Sequence, residues 1–93
     1  MTVLWSDEAY QSIKDIYEYI SRDSKHYASM IVDKILSSEE QLIQFPFSGR
    51  VVPEYTLEEI RELIRGHYRI IYRVLDQEMI EVLTVVHSAR DLS

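Results

Sequence analysis

The stretch that most narrows what this chain can fold into runs from Ile60 to Val74: Ile-Arg-Glu-Leu-Ile-Arg-Gly-His-Tyr-Arg-Ile-Ile-Tyr-Arg-Val. It reads as two short strands around one glycine, Gly66. β-branched and aromatic residues dominate the second run, the composition a half-buried pleated strand selects. Alternation splits that run into two faces, Tyr68, Ile70, Tyr72 and Val74 against Arg69, Ile71 and Arg73. The first face reads as core. The second carries guanidinium groups, either solvated on the open side of a sheet or held as a rigid cationic platform.

A third run, Met79 to His87, follows the turn residues Asp76, Gln77 and Glu78. Placing Arg73 opposite Glu81 makes a cross-strand ion pair and sets the register. Tyr72 then faces Val82, Ile70 faces Thr84, Arg69 faces Val85 and His67 faces His87. In that register Arg69, Arg73, His67 and His87 share one face. Upstream, Thr2 to Trp5 reads as an edge strand. Ser6 caps a helix from Asp7 to Ser21, whose apolar stripe is Ala9, Ile13, Ile16, Tyr17 and Ile20. Ser24 caps a second helix, Lys25 to Gln44, and so short a turn makes the two antiparallel neighbours. Pro46 breaks the helix. Phe45 and Phe47 are expected to anchor the loop that runs on to Leu57. The expected architecture is α+β, in the order β-α-α-β-β-β, with the helical hairpin packed on an antiparallel sheet.

Ninety-three residues allow one domain, residues 1–93, and no second core. No 18-residue apolar run or signal-peptide pattern occurs, so a soluble, cytoplasmic protein with no membrane partner is expected. Zero cysteines exclude disulfides and thiolate metal sites, and histidines at 26, 67 and 87 lack metal-ligand spacing, so no cofactor or metal is expected. The formal charge of −6 argues against a generally basic, nucleic-acid-coating surface. Yet between Arg61 and Arg73 there are four arginines and one acid, Glu62. A local basic site on an acidic body fits that distribution.

Nearly the whole chain resembles the RelE/ParE superfamily of toxins from bacterial type II toxin–antitoxin modules. The resemblance rests on the helical hairpin, Pro46 to Arg50 (Pro-x-x-Gly-Arg), Val-Pro-Glu at 52–54, Arg-Glu-Leu at 61–63, Tyr-Arg-Ile-Ile-Tyr-Arg-Val at 68–74 and Val-Val-His-Ser-Ala-Arg-Asp at 85–91. It implies a RelE-like fold and a cognate antitoxin that wraps the toxin with an amphipathic C-terminal segment. RelE-like members cut messenger RNA on the ribosome. ParE-like members poison DNA gyrase and are not nucleases. Arg69 matches the strand arginine that RelE-like enzymes place at the scissile phosphate, and His87 and Arg90 fall where C-terminal functional residues lie. Against this, no lysine follows Lys34 and no tyrosine follows His87.

Cutting RNA through its own 2′-hydroxyl needs a base, an acid and cations on the developing phosphorane. Histidine suits the proton transfers near neutral pH, and arginine the phosphate. Arg69 and Arg90 would form the clamp, His87 the acid or base, and Glu54 a second candidate base. Each has a structural reading beside it: His87 ends a strand, Arg73 pairs with Glu81, Arg65 and His67 sit solvated in a turn, and Tyr68, Tyr72 and Trp5 pack. Three functions stay open: a ribosome-dependent mRNA endonuclease, a gyrase inhibitor, and an inactive antitoxin-binding module.

Overall fold

The computed structural model describes residues 1–89. The order is β1 (Thr2–Trp5), α1 (Asp7–Ser21), α2 (Lys25–Leu36), α3 (Ser38–Gln44), β2 (Arg50–Val51), β3 (Ile60–Arg65), β4 (Tyr68–Val74) and β5 (Met79–His87). The strands form one five-stranded sheet in the order β1-β5-β4-β3-β2. The expected α+β architecture holds, with a third helix and a two-residue strand added. All neighbouring strands are antiparallel except β1, an edge strand that pairs parallel with β5.

Local chemistry sets the helix ends. Ser6 Oγ accepts from the Ala9 amide at 3.0 Å and donates to the Leu83 carbonyl at 2.7 Å, so one hydroxyl caps α1 and ties it to β5. Ser24 Oγ accepts from the Tyr27 amide at 3.1 Å and caps α2. The expected single helix to Gln44 is interrupted at Ser37. There the hydroxyls of Ser37 and Ser38 donate back to the Lys34 carbonyl, at 2.9 and 3.5 Å, competing with the helical ladder. Because α3 is a separate element, Glu39 can reach back to β1, where its carboxylate accepts from Trp5 Nε1 at 2.8 Å.

The core lies between the helices and one face of the sheet. Ala9 and Ile13 of α1, Ile31 and Ile35 of α2 and Leu42 of α3 pack against Leu63, Ile70, Tyr72, Ile80, Val82 and Val85. The Ile70/Tyr72 face is therefore the covered one, as alternation predicts, and Arg69 and Arg73 lie on the far side.

The expected register holds at the start of β5 and fails at its end. Arg73 faces Glu81 and Tyr72 faces Val82, but Ile71 faces Thr84, so Leu83 has no partner opposite it. This extra residue is a β-bulge. Beyond it Ile70 faces Val85, Arg69 faces Val86 and Tyr68 faces His87, one residue off the expected pairs. Strict alternation cannot reveal a bulge, because an inserted residue exchanges the two faces from that point onward.

Phe45 and Phe47 do not anchor the loop in the core; they are 60% and 52% exposed. The loop is held through Gly49, whose amide donates to the hydroxyl of fully buried Tyr72 at 3.0 Å. Arg61 adds a clamp, donating to the Gly49 carbonyl at 3.0 Å and the Phe47 carbonyl at 3.3 Å while its guanidinium lies 4.9 Å from the Phe47 ring centre. Burial pushes the Tyr72 phenol above its ordinary pKa.

A side chain at Gly49 would meet the Glu62 carbonyl at 2.5 Å and the Tyr72 hydroxyl at 2.7 Å. Gly49→Ala is therefore expected to lower unfolding free energy by about 1–3 kcal/mol through overpacking. Tyr72→Phe, which leaves the Gly49 amide unpaired, is expected to cost about 1–3 kcal/mol. Urea denaturation followed by circular dichroism measures both. Wild-type midpoints in either variant would refute this account of the loop.

Candidate functional site

The far face of the sheet holds a chain of alternating charges. Alternation puts Glu62 of β3 and Arg69 of β4 on that face, one pleat apart: Glu62 stands opposite Ile71 and Arg69 opposite Ile64. Arg50 of β2 stands opposite Glu62. Arg69 Nε donates to Glu62 Oε1 at 2.7 Å. The other oxygen of Glu62 takes the Nε–H of Arg50. From the loop after β2, Glu54 closes on the Arg69 fork, with Nη1 donating to Oε2 at 2.9 Å and Nη2 to Oε1 at 2.8 Å.

Arg69 and Glu62 are buried, at 4% and 1% exposure, so this is an ion-pair network within the fold. The hydrogen bond to Glu54, followed by those to Glu62, holds the Arg69 guanidinium firmly protonated against the opposing pull of burial. Such two-pronged carboxylate pairing is the strongest hydrogen bonding a guanidinium makes. The expectation that Arg69 projects freely into solvent is corrected here. Its neighbours are strands on either side and an acid from the loop, and the alternation that predicts an outward direction carries no information about the loop folding over it.

The bulge moves His87 away from this cluster. His87 stands opposite Tyr68, on the helix-side face, while Arg69 stands opposite Val86. The imidazole packs edge-on to Tyr68 at 5.6 Å and stacks with His67 at 6.0 Å between ring centres. Its Nδ1 accepts the Ala89 amide at 3.2 Å. Of the sequence-predicted site, Arg69 and Glu54 are brought together, His87 is placed on the opposite face, and Arg90 lies outside the described residues. Arg73 stands opposite Glu81, yet the ion pairs among the described residues join Arg50 to Glu62, Arg61 to Glu58, and Arg69 to both Glu54 and Glu62. Glu62 and Arg50 were not among the predicted site residues. The available signal was Glu62 itself, the lone acid in an arginine-rich stretch and in phase with the arginine face.

Among the described residues, no group of three or more His, Cys, Asp or Glu side chains is placed to hold a metal ion. A shallow cleft lined by Ser37, Glu40, Gln41, Gln44, Phe45 and Arg65 lies between α3 and β3. Arg65 there donates to Gln41 Oε1.

A helical hairpin packed on a five-stranded sheet in the order β1-β5-β4-β3-β2 is an α+β fold of the RelE/ParE type. Residues 3–92 match the family model described as the ParE toxin of type II toxin–antitoxin system, parDE. The chain belongs to that family and is a toxin of a type II toxin–antitoxin system. It is 30% identical over 88 residues to Y4kP of Sinorhizobium fredii, a protein named as a candidate toxin, covering 92% of this chain and 86% of the relative. The fold is shared with a solved chain from the chromosomal ParDE system of P. aeruginosa, at TM-score 0.75, 21% identity and coverage of 94% and 95% of the two chains. It is also shared with a YoeB/ParE toxin from Agrobacterium tumefaciens, at TM-score 0.63 and 18% identity, covering 94% and 98%.

Removing one partner of a buried pair leaves an uncompensated charge, at a cost of about 3–5 kcal/mol. Arg69→Ala is therefore expected to destabilise the fold by that amount, a large share of the ~5–15 kcal/mol of a typical domain. Arg73→Ala, at an exposed position with no ion pair among the described residues, should stay within about 0.5 kcal/mol of wild type. Chemical denaturation of both variants side by side checks this. An Arg69→Ala protein as stable as Arg73→Ala would mean the network contributes nothing.

Proposed function

We propose that this toxin acts by binding a protein target, DNA gyrase, and not by cutting messenger RNA. The observation that carries the reading is the state of Arg69. A phosphorane clamp needs guanidinium donors facing the substrate, and here Nε, Nη1 and Nη2 all donate to carboxylates. His87 supports the same conclusion. Its register opposite Tyr68 puts it on the other face from Arg69, which disfavours a single scissile phosphate being served by both. The net charge of −6 also disfavours long contact with a phosphate backbone.

The partner side follows from the exposed apolar residues. Tyr10 and Tyr17 of α1, Met30 and Leu36 of α2 and Ile43 of α3 are all at least about a third exposed. An amphipathic segment of a cognate antitoxin covers such surfaces by laying its apolar face on them. No helix among the described residues is long and apolar enough to cross a membrane. The bacterial cytoplasm, where gyrase and a co-expressed antitoxin are present, is the proposed site of action.

Purified toxin incubated with gyrase and supercoiled DNA is expected to accumulate trapped cleavage complexes, and a reporter mRNA translated in vitro with the toxin is expected to stay intact by primer extension. Cuts inside ribosome-bound codons that disappear with His87→Gln would overturn the reading in favour of the endonuclease. Co-expression with the reading frame beside the toxin gene is expected to relieve growth inhibition and give a complex on size-exclusion chromatography. Undiminished toxicity with no complex would refute the antitoxin pairing.

A further inference from the structure

We propose that the cleft between α3 and β3 is a docking site for an acidic, apolar-flanked segment of the toxin's protein target, with Arg65 as the carboxylate anchor. The proposal rests on the reading above that the target is a protein. Arg65 lies on the helix-side face of β3: it stands opposite Tyr68, as Leu63 two residues earlier stands opposite Ile70 of the covered face. Its guanidinium meets α3 and takes no part in the Arg69 network on the other side. The partners it finds there are neutral. Nη1 donates to the Ile64 carbonyl at 3.0 Å and Nη2 to Gln41 Oε1. Gln41 is itself held, its Nε2 donating to Ser48 Oγ at 3.0 Å. Two uncharged acceptors thus aim the fork, and no ion pair among the described residues reaches it. A guanidinium carries more donors than these two bonds use, so an oriented part of the fork stays open to a carboxylate.

The same cleft supplies the rest of a docking site. Ser37, Glu40, Gln41 and Gln44 recur at helical spacing and line it with one polar face of α3. Phe45 ends that helix at the cleft and, at 60% exposure, offers an aromatic surface beside Arg65. Glu40 is exposed and has no ion-pair partner among the described residues. It limits what the cleft accepts. One carboxylate on Arg65 is favoured, whereas a second acid or a run of phosphates beside it meets a like charge. A single acid with an apolar neighbour for Phe45 and a basic or amide neighbour for Glu40 matches all three groups. The apolar residues assigned above to the antitoxin, Leu36 and Ile43 among them, do not line this cleft.

Two capped peptides test the chemistry, acetyl-Leu-Asp-Lys-amide and its Asn counterpart. Each is titrated into the toxin while the side-chain NH resonances of Arg65 and Gln41 are followed. The Asp peptide is expected to shift both, and the Asn peptide to bind at least about tenfold more weakly, because it leaves the cation unpaired. Arg65→Gln should remove the difference between them. A short single-stranded RNA is titrated in parallel, and RNA that displaces the Asp peptide from Arg65 would overturn the proposal in favour of a nucleic-acid surface. The role is tested with Arg65→Gln and Phe45→Ala. Both are expected to keep their circular dichroism spectrum and their complex with the protein from the adjacent reading frame. Growth inhibition and gyrase trapping should each fall at least about tenfold, as for an anchor at the centre of an interface. Arg65→Lys, which keeps the charge and loses the fork, should recover part of the loss. Equal binding of the two peptides, wild-type potency in both variants, or loss of the antitoxin complex together with toxicity overturns the proposal. A wild-type toxin that traps no gyrase while the Asp peptide still binds through Arg65 refutes the gyrase target alone and leaves the acidic docking site standing for another protein.

Discussion

Everything on the far face of this sheet depends on one buried contact, the Arg69–Glu62 pair between neighbouring strands. Two charges removed from water are tolerated only when geometry is good and the remaining donors and acceptors are satisfied. Both conditions hold. Glu62 divides its two oxygens between Arg69 and Arg50, and Arg69 gives its remaining fork to Glu54. No buried side-chain nitrogen or oxygen among the described residues is left without a hydrogen bond. The result joins β2, β3, β4 and the loop after β2 through four side chains.

That arrangement has a functional consequence. The same arginine that sequence reading assigns to phosphate chemistry is the keystone of the fold's far side. Its charge is retained and each of its three nitrogens donates to a carboxylate. A carboxylate-locked arginine of this kind holds the strands and the loop together. Gly49 and Tyr72 secure the other end of the loop region, where a backbone amide meets a buried phenol with no room for a side chain between them. The long connection from α3 to β3 is therefore fixed at two points by polar contacts, while its phenylalanines stay at the surface.

The bulge in β5 is the second decisive feature. One unpaired residue, Leu83, lets Val82 and Val85 both face the core, a spacing of three that no regular strand permits. Thr84 at the same point bonds to Ser12 of α1 at 3.2 Å, and Ser6 bonds to the Leu83 carbonyl, so the helix meets the bulge with polar groups matched to it. Past this point the strand presents His87 to Tyr68 and His67, away from Arg69.

The sequence alone determined the elements whose cause is local. Ser6 and Ser24 announce their helices because a hydroxyl can satisfy an amide three residues on. Gly66 announces the hairpin because the turn needs its positive φ of 59. The alternation in Tyr68–Val74 assigns the covered face because side-chain direction in a strand has period two. Nearly continuous family motifs identified the class of protein as well. The tertiary structure alone decided the site. Whether Arg69 meets water or acid depends on where a loop fifteen residues earlier folds, and whether His87 joins it depends on one extra residue in the strand that carries His87. Neither fact is written in local propensity, because both are set by distant segments competing for the same face of the sheet.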